Sequence, residues 1–66
     1  MSQILKALVD RYNSQISEAK ATLEIYLNNS VGIGEHPQHI DEVDKQIQKI
    51  ASARDNLMAI EEIKDI

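Results

Sequence analysis

Val31-Gly32-Ile33-Gly34-Glu35-His36-Pro37-Gln38 is the stretch on which the fold turns. It holds both glycines and the single proline of the 66-residue chain. To either side runs an uninterrupted segment with helical periodicity, and the two are nearly equal in length. Such a chain is predicted to be all-α: an antiparallel hairpin with helices at about 2–29 and 37–64 and a loop at about 30–36.

Each loop residue type has a local reason to be there. The side chains of Asn28, Asn29 and Ser30 compete for the backbone and resist helix continuation. Asn29 or Gly32 suits the left-handed conformation that closes a helix. Gly32 and Gly34 read as turn residues needing positive φ. Pro37 fits a first helical position, where its missing N–H costs nothing. Val31 and Ile33 are expected to fold back over the open end of the hairpin. A phosphate-binding reading of Gly32-Ile33-Gly34 fails, because such motifs need a preceding strand and more glycines.

The first helix shows a seam of fours and threes: Leu5, Val9, Tyr12, Ile16, Ala19, Leu23 and Tyr26. Ser2 is the expected N-cap. Leu8, Ile25 and Leu27 lie off the seam and widen the apolar face beyond what a two-stranded contact needs. The charges Lys6, Asp10, Arg11, Glu18, Lys20 and Glu24 balance to zero and read as a solvated face.

In the second helix the apolar series is Ile40, Val43, Ile47, Ile50, Ala53, Leu57, Ile60 and Ile63. The step from Ile50 to Ala53 is three where four is due, which predicts a local overwinding or a shift of face near Ala51-Ser52-Ala53. Arg54 then falls where a strict heptad places a core residue, and is expected to snorkel or to pair across an interface. Asp41, Glu42 and Asp44 crowd the first turns, where the helix dipole favours acid. Ile63 and Ile66 predict a docked C-terminus.

Composition narrows the functions. A chain of 66 residues with no cysteine has no disulfide framework and no thiolate metal site. Cores of this size are marginal and usually need help from a metal, a disulfide or a partner subunit. Self-association is therefore expected, as a homodimeric four-helix bundle built on these seams. The net charge of −4 argues against a general nucleic-acid binder, and two tyrosines as the only aromatics give little for base stacking. No apolar run approaches the roughly 18 residues of a membrane span, and the N-terminus lacks the apolar region of a signal peptide. A cytoplasmic protein is expected.

His36 and His39, with Glu35 and Asp41 nearby, are the one candidate metal site. Pro37 between the histidines weakens it, and the plainer reading makes His36 a loop residue and His39 a solvent-facing first-turn residue. There is no Ser/His/Asp or Cys/His set, and no Glu-x-x-His pattern for a di-metal bundle. No cofactor and no catalysis are expected. The excess of acid lies wholly in the loop and second helix, so Glu35, Asp41, Glu42, Asp44 and Asp55 are the candidate face for a protein partner.

The run from Tyr26 to Pro37, continuing through Ile40-Asp41-Glu42-Val43-Asp44-Lys45, resembles a family of small uncharacterised proteins of tailed bacteriophages. Those proteins share a Gly-Ile-Gly-Glu-His-Pro core followed by an acidic-aliphatic helix. The resemblance covers roughly the loop and the second helix, over half the chain. It implies a phage accessory protein in the host cytoplasm and brings no activity and no functional residue. In shape the expected hairpin is also similar to Rop, a plasmid RNA-binding hairpin that dimerises, though no residues match. The reading is a non-catalytic protein–protein interaction module. The alternative is a nucleic-acid-related regulator, either a Rop-like RNA binder or an acidic DNA mimic; Lys45, Lys49, Arg54 and Lys64 interrupt the acid and weaken the mimic.

Overall fold

The computed structural model describes residues 1–28 and 38–66, and of Gln38 the backbone alone. The loop residues Gly32, Gly34, Glu35 and Pro37, and with them His36, lie outside the described residues.

The described chain is two α-helices, α1 (Gln3–Asn28) and α2 (Gln38–Ile63), of 26 residues each. They pack along their length into a rod of 49 × 14 × 13 Å. Ser2 starts α1: its Oγ accepts the Leu5 N–H at 3.1 Å and its carbonyl accepts the Lys6 N–H at 3.0 Å. These bonds satisfy a donor that a helix start would leave open. At the far end of α2, the Ile66 N–H closes on the Ile63 carbonyl at 2.9 Å.

Two contacts fix the helices as antiparallel. At the loop end Tyr26 of α1 meets His39 of α2 edge to face, with ring centroids 5.7 Å apart. At the other end Met1, Ser2 and Leu5 share a shallow cleft with Ile63, Lys64, Asp65 and Ile66. Counting along both helices from Tyr26 and His39 brings Ala19 level with Gln46, Tyr12 level with Ala53, and Leu5 level with Ile60.

On α1 the covered positions include Leu5, Val9, Tyr12, Ile16, Ala19, Leu23 and Tyr26, with Leu8 and Thr22 beside them. On α2 the covered positions are His39, Val43, Gln46, Ile50, Ala53, Leu57, Ile60 and Lys64, with Glu42 alongside. That series steps by four and three without a break. The overwinding expected near Ala51-Ser52-Ala53 is therefore not needed to keep the contact continuous.

The correction falls on Ile40, Ile47 and Ile63. Ile40 is 77% exposed and Ile47 53%, so both stand outside the contact between the helices, and Ile63 is exposed too. Rigid-rod geometry supplies the reason. Ile40, Ile47, Arg54 and Glu61 lie seven apart and share one line of α2, while His39, Gln46, Ala53 and Ile60 share the line beside it. Turning the isoleucines toward α1 would bury Arg54 and Glu61 further along, and burying unpaired charge costs far more than burying a bonded amide and a ring. The docked C-terminus is also not found: Ile66 is fully exposed.

Candidate interaction surface

The hairpin covers little of its own apolar surface. The buried apolar residues are Ala19, Ala53 and Ile60, and no large side chain among those described is fully enclosed. Ala19 and Ala53 are each 1% exposed, so the tightest parts of the seam are built from methyl groups. Meanwhile Ile4, Ile25, Leu27, Ile40, Ile47 and Met58 all face solvent. Helix α2 thus carries large apolar residues on two neighbouring lines, and the hairpin uses one of the lines.

Gln46 is the polar residue inside the seam. It is 5% exposed, and its Nε2 donates to Glu42 Oε1 one turn earlier at 3.0 Å. Glu42 also receives Lys45 at 3.7 Å. Of the expected partner-face acids, Glu42 is therefore half-buried and engaged within the helix, whereas Asp41, Asp44 and Asp55 are exposed. Asp44 accepts from Gln48 Nε2 at 2.7 Å. Asp41, Asp55 and Glu62 recur on the outermost line of α2, away from α1, while Lys45 and Lys49 stand on another side. The two lysines border an open polar groove of about 570 Å³ shared with Gln15, Glu18, Thr22 and Gln46.

His39 is half-buried against Tyr26, not solvent-facing as the sequence suggests. Among the described residues no three His, Asp or Glu side chains are grouped to hold a metal ion. No described helix is long and apolar enough to cross a membrane.

Sequence reasoning missed three seam residues, His39, Gln46 and Lys64. The signal for them is the strict alternation itself. Carried back from Ile60 through Leu57, Ala53 and Ile50, it reaches Gln46, Val43 and His39 whatever their polarity. No protein-family model matches the chain, and neither does any curated protein or solved structure.

Proposed function

We propose that this chain is a non-catalytic helical interaction module that self-associates into a four-helix bundle and presents the acidic outer line of α2 to a protein partner. One observation carries the reading: an elongated hairpin, with no large side chain fully enclosed among the described residues, leaves Leu27, Ile40, Ile47 and Met58 exposed. Burial of a large aliphatic side chain stabilises by roughly 1.5–3 kcal/mol, and this hairpin leaves that gain unrealised at each of these residues. The resemblance of the loop and the start of α2 to phage proteins supports an accessory role in the host cytoplasm.

Spacing disfavours a DNA mimic. Asp41 and Asp55 are separated by about 21 Å along the helix, at ~1.5 Å per residue, whereas each DNA strand carries a phosphate charge about every 3.4 Å of its axis. An acidic line does speed encounter with a basic protein patch and repels nucleic acid.

The test is capture of host proteins by the Asp41→Lys/Asp55→Lys variant. Neither carboxylate touches the seam, so helicity and assembly state should be unchanged while capture of basic partners weakens, most strongly at low salt. Undiminished capture, or a gel shift of RNA or DNA by the wild-type protein at physiological salt, would contradict the reading.

A further inference from the structure

We infer that the partner of the exposed apolar line is a second copy of this chain, laid with its α2 antiparallel to the first α2 about a two-fold axis level with Lys49. The inference rests on the self-association reading and specifies its geometry.

Moving one residue on from each seam position of α2 rotates about 100° round the helix. The positions reached from His39 through Leu57 are Ile40, Asp44, Ile47, Ala51, Arg54 and Met58, and all six are exposed. Laid against its own reverse, with the further residues of the line, Glu61 and Asp65, left beyond the overlap, this series matches itself. Ile40 meets Met58 of the second copy, Asp44 meets Arg54, and Ile47 meets Ala51. Any seam of alternating fours and threes can be superimposed on its reverse in position; the chemistry is what is particular here. Apolar meets apolar, and the two charges in the series fall opposite each other with opposite sign. Arg54 has no acidic partner within its own chain among the described residues.

The same face of α1 repeats the match. One residue on from its seam, Lys6 meets Glu24 of the second copy, Asp10 meets Lys20, and Asn13 meets Ser17, all of them exposed. The centre of that match is residue 15, which the hairpin register sets level with Ile50. That is one residue from the centre on α2, so a single two-fold axis serves both helices. The opposite face of the hairpin carries Ile4, Leu8 and Ile25 on α1, but its α2 line lacks the charge match. At its fullest overlap with its own reverse, Glu42 would meet Ala59, Lys45 would meet Asn56 and Lys49 would meet Ser52, so no opposite charges meet there.

Area agrees with this occupant. The hairpin exposes 5220 Å², while a compact monomer of its mass exposes roughly 4,200 Å². The excess, about 1,000 Å², is close to the roughly 800 Å² that one partner gives to a standard interface. Two right-angled seams on each α2, one toward α1 and one toward the second α2, are what a four-helix bundle requires.

A charge-swap cycle tests the proposal, read as the dimer dissociation constant by sedimentation at about 0.1 M salt, with helicity followed by circular dichroism. Asp44→Arg and Arg54→Asp each set like charges opposite each other twice in the dimer, and each should raise the constant about tenfold or more. The double variant Asp44→Arg/Arg54→Asp restores both pairs and should return within about threefold of wild type. Within one chain the two residues are about 15 Å apart along the helix, beyond the ~10 Å screening length at 0.1 M salt, so such a rescue has to come from another copy. If all variants dimerise as the wild type does, or the double variant is as weak as the singles, this face is not the interface, although self-association stands. A wild-type chain that stays monomeric overturns the self-association reading and this inference together.

Discussion

Gln46 lies in the seam with its Nε2 donating to Glu42 Oε1 at 3.0 Å, while its neighbour Ile47, the larger apolar residue, faces solvent. The amide is held in an apolar contact by a carboxylate of its own helix. Removing that acceptor as Glu42→Ala should cost about 1–3 kcal/mol, because the amide stays buried without a partner. Gln46→Leu should be neutral or stabilising, since an aliphatic group replaces both needs. Urea unfolding of the two variants checks the contrast. A stabilising Glu42→Ala would show that the bond contributes nothing.

Ala19 and Ala53 are the most covered residues of the two helices, each 1% exposed. Ala53 sits level with Tyr12 in the register, and Ala19 level with Gln46, so each small residue faces a large one. Ala53→Leu should overpack the seam and destabilise by about 1–3 kcal/mol. Chemical denaturation at fixed protein concentration measures it. Unchanged stability would mean that the helices are not in close contact there.

The edge-to-face contact of Tyr26 with His39 closes the seam at the loop end. Aromatic pairs of this geometry contribute about 0.5–1.5 kcal/mol beyond their burial. A double-mutant cycle on Tyr26→Leu and His39→Leu should return a coupling in that range. A coupling near zero would show that the rings are neighbours without mutual stabilisation.

Much of this architecture is legible in the chain. Glycine and proline confined to one stretch mark the break between two helical segments, and the apolar seam positions named on α1 are all at least half-buried. On α2 the reading fails at Ile40 and Ile47 for a definite reason. Hydropathy says that a residue wants cover, but not which neighbour provides it. Where two apolar lines run one residue apart, the choice between them is made by residues further along. Arg54 and Glu61 exclude one line from the hairpin contact, and Ala53 and Ile60 admit the other. Gln46 and His39 enter the seam because a straight helix cannot change face halfway. The excess of acid in α2 is legible as composition alone. That Glu42 is engaged with Gln46 and Lys45, while Asp41 and Asp55 stand clear, depends on helical phase.

The central claim is that the hairpin's exposed apolar line is covered by self-association. Sedimentation equilibrium of the wild-type chain over a wide range of protein concentration tests it most directly. The account predicts a species of twice the 7.5 kDa chain mass that dissociates on dilution, with a melting temperature that rises with concentration, because binding to the native state alone adds to its stability. A mass of one chain at every concentration, with a melting temperature that does not move, would contradict it.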